Sequence, residues 1–118
     1  MAKPIYKGYV KLENELLESP AWQSLKPIDK ALFVEMMHRC RPSFNGYFGF
    51  GVRDGASALH CKPDTVSNSM GRLQERMLIE LMRESNWQAN KAREWRLTTM
   101  PYQSVPATND WKQWKPDK

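Results

Sequence analysis

The sequence predicts an α+β domain: a helical core carrying a small antiparallel β-sheet that ends in a hairpin. Three observations predict it. From Asp54 to Ile79, apolar residues recur at helical spacing on both sides of one break, which reads as two helices joined by a tight corner. Residues 27–40 carry the most regular apolar row of the chain. Residues 79–83 and 94–98 alternate apolar and polar side chains on either side of a polar loop, the pattern of a half-buried hairpin.

Taken in order, residues 1–11 read as a basic arm, with Lys3, Lys7 and Lys11 set among Ile5, Tyr6, Tyr9 and Val10 and no acid. LENELLES (12–19) is a short helix, stopped at Ser19-Pro20 because a residue before proline is pushed out of the helical region. PAWQSL (20–25) is another helical turn, anchored by Trp22 and Leu25. Pro27 opens the next helix, where Ile28, Leu32, Met36 and Cys40 form an i, i+4 row widened by Phe33 and Met37. Asn45-Gly46 is a turn, and YFGFGV (47–52) a short strand whose Gly49 and Gly51 suggest a face pressed against another element.

The first helix of the corner ends near Leu59, and His60, Cys61 and Lys62 make the corner. Pro63 suits the first position of the second helix, where no intrahelical N–H bond is lost, and Asp64 suits the positive helix start. Val66, Met70, Leu73 and Met77 then fall on one face, while Asp64, Thr65, Asn68, Arg72 and Glu75 fall on the other. Strand 79–83 points Ile79 and Leu81 inward and Glu80 outward. Strand 94–98 points Trp95 and Leu97 inward and Arg96 outward. Residues 1–98 thus read as one domain with its arm, and 99–118 as a Pro-rich tail that docks through Trp111 and Trp114 or stays loose. The order helix, strand, helix, corner, helix, strand, loop, strand is that of a winged helix-turn-helix, with the hairpin loop as its wing.

Composition limits the function. A chain of 118 residues, 41% hydrophobic and 26% charged, suits one globular domain. It has no apolar run of membrane-spanning length and no secretory leader, and two cysteines make no disulfide framework, so a reducing cytoplasm is expected. The net charge of +5 permits attraction to phosphate without requiring it. From the corner through the second hairpin strand, seven bases face five acids, so any affinity for DNA rests on the placement of charge. There is no Walker A loop, dinucleotide fingerprint or nucleophile elbow, and no acid–base pair, so no enzyme and no cofactor are expected. His38 with Cys40 and His60 with Cys61 supply ligand types without knuckle spacing, and no metal is expected.

Several segments carry a resemblance: ESPAWQSL (18–25), NGYFGFGVRDGASAL (45–59), TVSNSMGRLQERMLIE (65–80), AREWRLT (92–98) and PATNDW (106–111). Together they resemble winged-helix DNA-binding domains of bacterial and phage origin, in particular short phage- and prophage-type helix-turn-helix proteins. YVKLENELLES (9–19) is similar to the N-terminal origin-binding domain of the phage replication protein O family. Two departures stand out. Such relatives often have glycine in the corner, where this chain has His60-Cys61, and glycine before the strand, where it has Met77.

The resemblance implies sequence-specific binding of double-stranded DNA, as a transcriptional regulator or an origin-binding replication factor of a phage or mobile element in a bacterial cytoplasm, nucleoid-associated when bound. The helix from Pro63 then enters the major groove. Thr65, Asn68 and Arg72 form its reading face with Ser67 or Ser69 at the edge, and each bidentate Asn–adenine or Arg–guanine pair contributes about 1–3 kcal/mol of discrimination. Lys62 and Arg53 reach the backbone; Lys91 and Arg93 reach it from the wing, with Asn86, Gln88 and Asn90 as neutral donors. The plainer readings are that Arg76 only solvates a helix face, that Trp87 covers the hairpin rather than stacking on DNA, and that the lysine arm is a plain terminus. A homodimer is plausible through the arm or the tryptophan tail, since one helix reads only a half-site. The alternative is a protein-interaction module on the same fold, an adaptor or inhibitor of a host machine with no DNA role. On the first reading Arg72→Ala leaves the fold intact, whereas Leu73→Ala destabilises it by roughly 2–5 kcal/mol.

Overall fold

The structure, a computed structural model, describes residues 8–116. These form an α+β domain of five helices and a three-stranded antiparallel sheet: α1 (Asn14–Leu17), α2 (Pro20–Gln23), α3 (Pro27–Arg39), β1 (Phe48–Gly49), α4 (Val52–Leu59), α5 (Pro63–Glu75), β2 (Ile79–Arg83) and β3 (Glu94–Leu97). Two short 3-10 turns, Pro42–Phe44 and Asp110–Gln113, complete it. Lys3, Lys7, Ile5 and Tyr6 of the arm lie outside the described residues.

Helix α3 is the centre of the core. Leu32, Phe33 and Met36 are fully buried, and Trp22 meets Phe33 edge-on at 6.1 Å between ring centroids. Helices α4 and α5 pack on α3, and Gly55 permits the contact: a Cβ there would stand 2.8 Å from Val66 Cγ1 and 3.1 Å from Leu32 Cδ1. The sheet order is β1-β3-β2, with Phe48 opposite Trp95 and Ile79 opposite Leu97. Its inner residues Phe48, Ile79, Trp95 and Leu97 join the helical core. The Trp95 indole N–H donates to the Phe50 carbonyl at 2.8 Å, so the large ring is buried without an orphaned donor. A register irregularity between Leu81 and Arg83 bends β2 as it runs into the hairpin loop.

Both helices of the corner end in the same way. His60 (φ 55°) and Met77 (φ 59°) take the left-handed conformation. The next residue's N–H then reaches back to the helix, from Cys61 to Ala56 O and from Leu78 to Leu73 O, each at 3.1 Å. The corner thus follows the path a glycine would take, with side chains in glycine positions.

Five features differ from the expectations or sharpen them. Gly49 faces open space and Gly51 makes only ordinary contacts; the glycine under close approach is Gly46 (φ 95°), where a Cβ would run into the Tyr102 ring. Arg96 does lie on the outer sheet face, but it is buried beneath the tail, bonded to Glu80 at 2.7 Å, Thr108 at 2.8 Å and Asp110 at 3.0 Å. Alternation fixes the direction of Arg96 and says nothing of what covers that face. Arg76 does not solvate a helix face: it donates to Ser24 Oγ at 2.7 Å and lies 4.9 Å from the Trp114 ring. Trp111 is buried against the body, so the tail's tryptophans are engaged within their own chain.

The fifth concerns Arg72. Its Nε donates to Asp29 Oδ2 at 2.8 Å and Oδ1 at 3.0 Å. Asp29, completely buried at the start of α3, also accepts from Ser69 Oγ at 2.6 Å and from the Lys26 N–H at 2.9 Å. Burial works to raise the Asp29 pKa, but the bonds from Arg72, Ser69 and Lys26 outweigh it and hold the carboxyl below its ordinary range. Arg72 is therefore a brace between α3 and α5, and its loss is expected to cost stability.

Candidate functional site

The helix-start residues of α4 and α5 and the tip of the β2–β3 hairpin converge on one open groove of about 670 Å3. Arg53, Asp54, Pro63, Asp64 and Ser67 line the helix side; Ser85, Trp87, Asn90, Lys91 and Arg93 line the hairpin side. Of the expected site residues, the structure brings Arg53, Ser67, Lys91 and Arg93 into this groove. Asn68 is exposed on the adjoining face of α5, and Lys62 is exposed at its N-cap. Thr65 is half-buried on the flank of α5 shared with Arg72.

Each position has a local cause. Pro63 starts α5 one residue after Lys62, whose extended backbone (ψ 150°) turns the chain out of the corner. Asp54 Oδ2 accepts the Gly51 N–H at 2.7 Å, which caps α4. The hairpin tip is a closed turn. Asn86 and Lys91 exchange backbone bonds at 2.9 and 2.8 Å, Asn90 N–H reaches Trp87 O at 3.1 Å, and Asn86 Oδ1 accepts the Ala89 N–H at 3.1 Å. Asn90 completes it in the left-handed conformation (φ 54°). Trp87 is left 85% exposed at the tip, the most exposed of the buried-prone large side chains beside Tyr9.

The charges of the site are not equally available. Arg93 is bonded to Glu84 at 2.8 Å, and the Ser85 N–H together with Arg93 holds the Glu84 carboxyl below its ordinary range. Among the described residues no ion pair holds Arg53, Lys62 or Lys91. The outward face of α5 itself is neutral to acidic: Asp64, Ser67, Asn68, Gly71, Gln74 and Glu75 are exposed, while its cations Arg72 and Arg76 point back to the body.

Cys40 is buried, and burial pushes its thiol up to about 12. Among the described residues no three His, Cys, Asp or Glu side chains converge. Asp29, the residue that decides where Arg72 points, gave no signal beyond an acid in the first turn of a helix, a common surface feature. The groove walls Pro63 and Asp64 were legible as a helix start but not as neighbours of a loop some twenty residues away.

Comparison with protein-family models, with curated proteins and with solved structures finds no match to this chain.

Proposed function

We propose that this chain is a winged helix-turn-helix domain that binds double-stranded DNA in a sequence-specific manner, as a regulator of transcription or an origin-binding replication factor. The observation that carries this reading is the convergence of the α5 start and the hairpin tip on one groove lined by Arg53 and Lys91, with Lys62 exposed at the N-cap of α5 one residue before its wall Pro63. In this reading α5 enters a major groove by its N-terminal half, with Ser67 and Asn68 toward base edges and Thr65 at the flank. Lys62, Arg53 and Lys91 meet phosphates, and Arg93 joins them from its pair with Glu84. Arg72 serves the site by fixing the angle of α5 on α3. A homodimer would read two half-sites, with a contact other than Trp111, which is buried in its own chain.

One observation favours a second reading, a protein-interaction module. The outer face of α5 carries Asp64 and Glu75 and presents no free cation beyond its N-cap, which suits a basic or polar protein surface.

Fluorescence anisotropy with labelled random duplex and source-genome fragments, across a salt series, separates the two. DNA binding predicts log affinity falling linearly with log salt, with some fragments retained at higher salt. Absence of binding at low salt leaves the protein-interaction module as the working reading.

A further inference from the structure

The groove beside α5 has a neighbour that shares Ser85, Trp87 and Lys91 of the hairpin with it. A second open groove, also about 670 Å3, is lined by Arg83, Glu84, Ser85, Asn86, Gln88 and Lys91. Trp87 lines both grooves, and so does Lys91. The indole therefore borders both grooves, with Arg53, Arg93 and the acids Asp54 and Asp64 along one, Arg83 and the acid Glu84 along the other and Lys91 serving each, so that cations outnumber acids in both. It is held out by a turn closed with backbone bonds at both ends, so its 85% exposure belongs to the fold and not to a loose loop.

An exposed indole with cations along both grooves it borders matches one chemistry in particular. Nucleobases stack on aromatic faces whatever their identity, and cations beside the ring track the attached phosphates. In a continuous duplex the base faces are covered by their neighbours and the ring finds only edges. An unpaired base offers a free face, and at a fork two strands diverge, one for each groove. Building on the DNA reading above, we propose that Trp87 is a stacking wedge and that the site prefers DNA in which a base step beside the duplex contact is open. The duplex is gripped by α5 and its flanking cations, and the hairpin tip covers the exposed face of the first unpaired base. No bond is made or broken; the step is association alone.

The test uses the full chain and two labelled probes: a 20-base-pair random-sequence duplex, and the same duplex extended by two unpaired arms. Affinities are read by anisotropy for the wild type, Trp87→Ala and Trp87→Phe, with melting temperatures as a check on folding. The wild type is expected to bind the forked probe on the order of tenfold more tightly than the duplex, as one base stacked on one ring provides. Trp87→Ala is expected to lose that preference while keeping its salt slope and its melting temperature; Trp87→Phe is expected to keep part of it. Equal binding of both probes by the wild type, or a fork preference that survives in Trp87→Ala, overturns the wedge and leaves the DNA reading standing. Failure of the wild type to bind either probe at low salt overturns both, and assigns the exposed indole to a protein contact.

Discussion

At the scale of single residues, Asp29 shows how one buried group can redirect a functional expectation. A fully buried carboxylate needs partners, and the nearest cation on α5 is Arg72. Removing that cation leaves the carboxylate with only Ser69 and the Lys26 N–H, so Arg72→Ala is expected to destabilise the domain by about 2–4 kcal/mol in urea unfolding, rather than leave it intact. The pH dependence follows from the sign of the shift. The Asp29 pKa is depressed in the folded state, so its contribution is fully present above its ordinary value and fades as pH falls through the folded one. Asp29→Asn should therefore lower stability at neutral pH and flatten the acid limb of the profile, where pH falls through and below the ordinary carboxylate range. A profile that keeps the wild-type slope would deny Asp29 its role. His60 and Met77 present a different residue-scale effect, since each holds a left-handed backbone that costs an L-residue about 1–2 kcal/mol. His60→Gly, at an exposed position, is expected to stabilise by about 0.5–1 kcal/mol after the added entropy of the unfolded chain is subtracted, seen as a raised melting temperature.

At the scale of elements, local pattern and long-range contact divide what could be read in advance. Helix α3 was legible because Leu32, Met36 and Cys40 recur at i+4, and β2 because Ile79–Arg83 alternates; both depend on residues close in sequence. The corner was legible through Pro63, which can start a helix but not continue one. What escaped depends on elements far apart in the chain. Arg96 is covered by Thr108 and Asp110, Arg76 by Trp114, and Gly46 is crowded by Tyr102. In each case the tail, which has no periodicity of its own, supplies the partner. Within the candidate site, Ser67 and Asn68 could be placed by helical spacing, whereas the loss of Arg72 to α3 required knowing that Asp29 is buried. Gly71 gives an element-scale prediction. It sits inside α5 on the exposed face with nothing within 4 Å of a Cβ, so Gly71→Ala is expected to raise stability by about 0.5–1 kcal/mol through helix propensity alone. A neutral or destabilising result would mean that α5 is strained there in a way its backbone does not reveal.

At the scale of the whole molecule, the question is whether a chain with a net charge of only +5 can hold DNA. Bulk charge and placed charge make different predictions, and three substitutions separate them. Lys62→Ala, Lys91→Ala and Lys112→Ala each remove one positive charge. If attraction were a matter of net charge, all three would weaken binding alike and screen alike with salt. Lys91 lines the groove between α5 and the hairpin and Lys62 caps the helix that forms its wall, neither with an ion-pair partner among the described residues, whereas Lys112 lies on the tail, bonded to Glu15 at 3.1 Å. A phosphate contact releases condensed counterions, and each one lost lowers the slope of log affinity against log salt by about 0.9. Lys62→Ala and Lys91→Ala are therefore expected each to lower the slope by nearly one, and Lys112→Ala to leave it unchanged. Because the three variants have the same net charge, a common change in slope would point to diffuse attraction and away from a docked duplex. A change confined to Lys62 and Lys91 would mark the groove as the surface that meets the phosphate backbone.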